Sequence, residues 1–348
     1  MTQVRPAEGT LQTPARPIPP GATAPRLSVV VPCYNEEESI GQLLSRLRAA
    51  CQSSVGNSFE IVLVDDGSRD ATWPAMLTAS LQSSNIVAVK LSRNHGHQLA
   101  LSAGLTIARG DRILIIDADL QDPPELLSAM LRLMDEGADV VYGQRTVRHG
   151  ESAAKRATAA LFYRLLNRLT DVRIPVDTGD FRLMSRRALD VLNAMPEQHR
   201  FIRGMVSWIG FRQVALPYER HERFAGETKY PFSRMLRLAI DAVTSFSTRP
   251  LRVASFFGFG FAFLGLAGLG YTLGSWFAGH VVTGWTSATS IILLMGSAQM
   301  FVLGIIGEYL GRLYMEAKRR PMFVIESVVR RAETEAAASE RSDALCVP

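Results

Sequence analysis

No G-x-G-x-x-G follows the first apolar run of this 348-residue chain, and no G-x-x-x-x-G-K-[ST] occurs in it. The first absence argues against a dinucleotide oxidoreductase and the second against a P-loop NTPase. Cysteine is scarce. Cys33, Cys51 and Cys346 are odd in number and share no metal-ligand spacing, so they read as thiols of a reducing compartment. Residues 1–26 lack the apolar core of a signal peptide and hold six prolines, which describes a disordered tail. Charge is missing altogether from residues 253–278 and 286–307. Each stretch is long enough to span a hydrocarbon core of about 30 Å, which excludes a wholly soluble chain and predicts two transmembrane helices.

Lys and Arg are also absent from "GHVVTGW", between those stretches. Arg249 and Arg252 precede the first, and Arg312, Lys318, Arg319 and Arg320 follow the second. The positive-inside rule then puts both ends of the hairpin in the cytoplasm, at the inner membrane. Glycines 258, 260, 265, 268 and 270 predict close helix approach. A net charge of +5 suits anionic partners. The interleaved aromatics and basic stripes of a nucleic-acid binder do not accompany it, so no nucleic acid is expected.

From residue 27 a rhythm of short β-branched runs begins: "LSVVVP" (27–32), "FEIVLVDD" (59–66), "IVAVKLS" (86–92), "RILIID" (112–117) and "DVVYGQ" (139–144), alternating with helical stretches. Continuous apolar runs suit strands covered on both faces, so an open, mainly parallel α/β sheet is predicted. Ligands of such sheets sit beyond the carboxyl ends of the strands. There lie the polar clusters "PCYNEEE", "DDGSRD", "SRNHGHQ" and "DADLQD". A basic amphipathic helix is read over 232–246, with Phe232, Met235, Leu236, Ala239, Ile240 and Val243 at helical spacing. A second is read over 156–169. The expected division is a tail (1–26), a catalytic domain (27–229), a juxtamembrane helix (230–251), two spans (252–311) and a C-terminal segment with a frayed tail (312–348).

Asp117 and Asp119 stand two apart at a strand end, so in extended backbone they point the same way. Two hard oxygen ligands with positions left over suit Mg²⁺ or Mn²⁺, whose shell substrate phosphates complete. Gln121 can add a neutral oxygen. Asp122-Pro-Pro-Glu125 reads as an acidic N-cap with a capping box. Asp65 ends a strand and is freer to receive a ligand than Asp66, which belongs to a turn with Gly67. His95 and His97 read as loop residues making phosphate or backbone contacts.

Taken together, "VVVPCYNEEESI", "LVDDGSRDAT", "LSRNHGHQLALSAGL", "IDADLQDPPELL", "DTGDFRLMSRRAL", "RFIRGMVSWIGF" and "RFAGETKYPFSRM" resemble a family 2 glycosyltransferase with the GT-A fold. The branch resembled makes polyprenyl-phosphate sugars, as dolichol-phosphate mannose synthases and bactoprenol glucosyltransferases do, over about residues 27–325. The resemblance implies that Pro32, Tyr34, Glu36 and Asp65, with Asp117, border the nucleotide. It implies that Asp117, Asp119 and Gln121 hold the metal. Arg145 would meet the acceptor phosphate together with Lys155 or Arg156. Arg223, Thr228 and Lys229 would belong to a closing loop. Asp177 and Asp180 would line the sugar and acceptor pocket, with turn formation around Gly179 as their alternative. A nucleotide-sugar donor, a polyprenyl (undecaprenyl) phosphate acceptor, the bilayer and a homotetramer are the partners implied. The Q-x-x-R-W of processive polysaccharide synthases is absent.

Overall fold

The computed structural model describes residues 24–146, 175, 178–219, 247, 249–279 and 284–331. Among them eight strands form one sheet: β1 (Leu27–Cys33), β2 (Phe59–Asp65), β3 (Ile86–Leu91), β4 (Arg112–Ile115), β5 (Val140–Arg145), β6 (Thr178–Ser185), β7 (Gln213–Tyr218) and β8 (Ile325–Arg330). The helices are α1 (Ile40–Val55), α2 (Thr72–Gln82), α3 (His97–Ile107), α4 (Leu127–Asp135), α5 (Arg186–Ala194), α6 (Ile202–Ile209), α7 (Arg249–Phe277) and α8 (Trp285–Ala317).

The sheet order is β7-β5-β6-β4-β1-β2-β3-β8. β1 pairs in parallel with both β2 and β4, while β6 and β8 run antiparallel to their neighbours. The order therefore reverses at β1, which opens a crevice beyond the carboxyl ends of β1 and β4. Side-chain alternation divides the core into two layers. Leu27, Val29 and Val31 face Leu43 and Leu47 of α1 and Met130 and Met134 of α4. Val30, Val62 and Val64 face Leu101 and Leu105 of α3, Leu189 of α5 and Met205 of α6. Each such fully buried aliphatic side chain contributes about 1.5–3 kcal/mol of transfer free energy. Gly104 lets α3 lie directly on the strands, because a Cβ there would stand 2.4 Å from Val30 Cγ1.

The five strands expected from apolar runs are present. Three more carried no such run. β6 is buried along its whole length although "TGDFRLMS" holds Asp180 and Arg182, whose charges hide the strand signal. β7 contains Pro217, which a sheet tolerates because β7 is an edge strand. β8 runs across Ser327, after which a frayed tail is expected, and closes the other edge against β3.

Both expected spans are helices. They are long and apolar enough to cross a membrane, with windows of mean hydropathy 1.8 and 1.2. Phe256, Phe259, Phe263 and Phe277 stand exposed along α7. α8 continues ten residues beyond the expected end at 307, where Arg312 pairs with Glu308 one turn back at 3.0 Å. The two helices run antiparallel: Gly265 faces Met295, and Tyr309 Oη donates to the Ser247 carbonyl at 2.6 Å. Of the five expected contact glycines, Gly265 lies at van der Waals distance from Met295 of the partner helix; a Cβ at 258, 260 or 270 would meet nothing within 4 Å among the described residues.

β8 also fixes where α8 arrives. Ile325 pairs with Leu91 at the carboxyl end of β3, and Ser92 N–H donates to the Val324 carbonyl at 3.0 Å. Seven residues, 318–324, link α8 to that point and span at most about 24 Å. Gln198, between α5 and α6, donates its backbone N–H to Glu316 and its side-chain amide to the Arg320 carbonyl, at 2.7 and 2.9 Å. The end of the apolar hairpin is thus tied to the edge of the sheet on which the polar clusters lie.

Candidate active site

The register of β1 and β2 sets Cys33 beside Asp65, so Pro32, Tyr34 and Asp65 share one rim of the crevice. The loops after these strands are zipped by side chain–backbone bonds. Ser68 Oγ receives Asn35 N–H at 3.0 Å, Thr72 Oγ1 receives Glu36 N–H at 2.8 Å and Glu37 receives Ala71 N–H at 2.7 Å. Glu36 itself accepts from Ser39 Oγ at 2.8 Å. Tyr34 is 42% exposed at the mouth. Both oxygens of Asp66 are taken by the His95 and Gly96 amides, at 2.7 and 2.9 Å, which confirms its structural role. Asp65 Oδ1 accepts Ser68 N–H at 3.0 Å, whereas its Oδ2 is buried with no hydrogen-bond partner among the described residues. Gly67 has φ +69°, and a Cβ there would strike the Arg93 carbonyl carbon at 2.7 Å, so the loops after β2 and β3 meet at that residue.

β4 ends at Ile115, earlier than expected, and residues 118–120 form a turn. The period of two nonetheless survives in burial: Asp117, Asp119 and Gln121 are half-buried, while Ala118, Leu120 and Asp122 are buried. Leu120 holds φ at +60°, a left-handed conformation that a branched side chain rarely adopts. Asp119 Oδ1 receives the Gln121 amide at 3.1 Å. The capping box does not form. Pro123 occupies the N-cap of the turn Pro124–Leu126 without a side-chain bond, and Glu125 pairs with Arg46 at 2.8 Å. Asp122 is fully buried and accepts a short hydrogen bond from Tyr218 Oη.

Two polar arms reach this turn. In one, Arg145 Nε donates to Tyr218 Oη at 3.4 Å, and Tyr218 leads on to Asp122. The Arg145 guanidinium lies on Gly179, where a Cβ would stand 2.6 Å from it. Tyr218 stacks edge-on against Phe181, with ring centroids 5.6 Å apart. In the other arm His97, which opens α3 rather than lying in a loop, places Nε2 3.1 Å from Asp180 Oδ2 and 3.6 Å from Asp117 Oδ1. Arg203 Nε donates to Asp180 Oδ1 at 2.9 Å. The sequence reads His97 as a phosphate or backbone contact, whereas here it meets Asp180 and Asp117; Arg203 and Tyr218 carry no pattern that marks them. Lys155, Arg156, Asp177, Arg223, Thr228 and Lys229 lie outside the described residues, as do the two amphipathic helices.

Burial pushes the Asp117 carboxyl up to about 6; His97 pulls against this, and the charges of Asp180, Asp122 and Asp119 add to the rise. Burial also opposes ionisation of Asp180, but Arg203 and His97 hold it well below the ordinary carboxylate range. Asp117 Oδ1 is buried and has no hydrogen-bond partner among the described residues. This concentration of hard oxygen atoms fits a divalent ion of the Mg²⁺ or Mn²⁺ type. Among the described residues no three His, Cys, Asp or Glu side chains form a cage by themselves. Were Asp117 a ligand, its protonation would remove it from the ion, and Mn²⁺ affinity would fall about tenfold per pH unit below about 6. For an unperturbed carboxyl the same loss would begin nearer pH 4; a Mn²⁺ titration at several pH values checks this. A separate cleft of about 590 Å³ lies at the opposite edge, by the amino ends of the strands. Three of its four arginines, Arg112, Arg186 and Arg187, are already paired with Asp135, Asp190 and Asp139.

Residues 28–192 match glycosyl transferase family 2, and residues 249–313 match the GtrB C-terminal hairpin. An uncharacterized glycosyltransferase of Bacillus subtilis, YkcC, is 45% identical over 302 residues, covering 86% of this chain and 93% of that protein. The chain belongs to glycosyl transferase family 2. Another member, the bactoprenol glucosyl transferase of Shigella phage SfV, is 37% identical over 308 residues, 87% of this chain and 98% of its own length. Membership makes the chain an enzyme with a mostly parallel GT-A sheet followed by a membrane hairpin. A crystal structure of glucosyl-3-phosphoglycerate synthase from Mycobacterium tuberculosis with Mn²⁺, UDP and phosphoglyceric acid aligns over 63% of this chain and 76% of that one. The alignment has 19% identity and a TM-score of 0.42.

Proposed function

We propose that the chain transfers glucose from UDP-glucose to undecaprenyl phosphate, with inversion, at the cytoplasmic face of the inner membrane. The observation that carries this reading is the β8 register, which ties the end of the hairpin to the sheet edge holding Asp65 and Asp117. A polyprenyl phosphate keeps its tail in the bilayer and its headgroup at the surface, so its acceptor oxygen needs a site tethered to that level. α8 is about 50 Å long, some 20 Å more than the hydrocarbon core, so its last turns stand in the headgroup layer. The flanking cations and the uncharged link between the spans support the cytoplasmic orientation. The likeness to named bactoprenol glucosyl transferases supports glucose and the lipid acceptor.

Asp117 and Asp119, with Gln121, would hold Mg²⁺ or Mn²⁺, which stabilises the negative charge of a departing diphosphate as a Lewis acid. Pro32, Tyr34, Glu36 and Asp65 receive the nucleoside. Arg145 orients the acceptor phosphate, one oxygen of which bonds to the anomeric carbon as the bond from that carbon to UDP breaks. Lys155 or Arg156, Asp177, Arg223, Thr228 and Lys229 complete the pocket by resemblance. The acceptor is already ionised at neutral pH and needs no strong base. Asp180, surrounded by donors, offers none.

Gly179→Ala should push the Arg145 guanidinium aside while leaving the strand intact. A displacement of about 1 Å lowers kcat/KM for the lipid acceptor roughly 10- to 100-fold, with UDP binding unchanged. Kinetics with varied undecaprenyl phosphate measure it. The function itself is tested by incubating membranes containing the chain with labelled UDP-glucose, UDP-galactose, UDP-N-acetylglucosamine and GDP-mannose. Label should enter the organic-soluble polyprenyl fraction from UDP-glucose. Transfer from another donor alone overturns the sugar, and no transfer from any donor overturns the reaction.

A further inference from the structure

His97 reaches the centre of the site, yet the reaction outlined above does not use it. Its Nε2 makes a hydrogen bond to Asp180 at 3.1 Å and an electrostatic contact with Asp117 at 3.6 Å, too long for a hydrogen bond. Asp180 in turn is held from several sides. Arg203 donates Nε to Oδ1 at 2.9 Å and Nη2 to Oδ2 at 3.3 Å, and Gln98 Nε2 donates to Oδ2 at 3.0 Å. Gln98 Oε1 receives the Ile202 amide at 3.0 Å, which closes the frame between α3 and α6. Asp180 is only 2% exposed. A buried carboxylate with this many donors cannot swing toward a sugar hydroxyl. What it does is fix the imidazole, and the imidazole faces the carboxylate expected to grip the ion.

We propose that His97 is a positioning residue: held by Asp180 and Arg203, its imidazole sets the orientation of the Asp117 carboxylate toward the divalent ion. The proposal rests on the reading of Asp117 as a metal ligand. Partners one step removed from a metal commonly change its affinity 10- to 100-fold when replaced.

The test uses the full chain purified in detergent. Free Mn²⁺ is followed by its paramagnetic resonance signal in the presence of UDP, and kcat and the KM for Mn²⁺ are measured alongside. His97→Ala should weaken Mn²⁺ binding about 10- to 100-fold, and excess Mn²⁺ should restore most of its turnover, which a folding defect would not allow. His97→Gln, whose amide nitrogen has a similar reach, should keep most of the wild-type affinity. Should His97→Ala not fold, the shorter His97→Asn takes its place with the same expectation. Wild-type Mn²⁺ affinity in the truncated variant, or lost turnover that excess Mn²⁺ cannot recover, overturns the proposal and leaves Asp117 as a ligand. If the wild-type chain binds no Mn²⁺ with UDP, the reading of Asp117 fails and takes the proposal with it.

Discussion

Asp119→Asn should cut transfer of glucose to the lipid acceptor by at least about 10³-fold, the equivalent of roughly 4 kcal/mol of lost charge stabilisation. The substitution keeps the shape of the side chain and the oxygen that accepts the Gln121 amide at 3.1 Å. It removes the negative charge while keeping that contact. The variant should therefore melt and fractionate with membranes as the wild type does, while organic-soluble label disappears. Asp117→Asn should lose activity to a similar degree for the same reason. That variant should gain stability at neutral pH, because ionising Asp117 in its buried setting costs free energy above pH 6. Retained turnover in Asp119→Asn would remove the proposed metal role.

The second large effect concerns the fold. Arg330 of β8 donates to Glu60 at 2.9 Å and to the Ile107 carbonyl at 3.3 Å, and both ionic side chains are nearly buried. Glu60 also receives Ser28 Oγ and the Arg109 amide, each at 2.6 Å. Breaking a buried pair by removing one partner costs about 3–5 kcal/mol. The two remaining donors place Arg330→Ala at the lower end, about 3 kcal/mol. In a domain of roughly 200 residues that lowers the thermal midpoint by about 10 °C. Glu60→Gln with Arg330→Met should recover most of the loss, since no charge is then left buried. A thermal scan of the purified chain in detergent measures both variants. A shift under about 2 °C for Arg330→Ala would mean that β8 contributes little to the sheet.

How far the fold was legible depended on what each strand must bury. β1 through β5 show as apolar runs because both faces are covered. β6 is as buried as they are, but Asp180 is bonded by His97, Gln98 and Arg203 and Arg182 by the Gly179 and Asp180 carbonyls, so charge there does not mark a loop. β8 returns from the far side of a membrane hairpin, and its partner β3 is more than 230 residues earlier by the Lys90–Glu326 pair. No local pattern reports a pairing of that range. The candidate acids at 117 and 119 were readable from their spacing alone, which survives as alternating burial even though the backbone there turns. Asp122 was misread because Asp-Pro-Pro-Glu satisfies the local rule for a helix start, while Tyr218, 96 residues away, captures the carboxylate. His97 lies in a helix rather than a loop because Gly96, at φ +94°, is the N-cap from which α3 starts.

The proposed transfer requires a divalent ion held by two carboxylates at a sheet edge that the hairpin keeps at the headgroup level. Its most direct measurement uses the wild-type chain in proteoliposomes with labelled UDP-glucose and undecaprenyl phosphate. Label in the lipid product should vanish on addition of excess chelator and return when Mn²⁺ or Mg²⁺ is added back. Full transfer in the continued presence of chelator would contradict it.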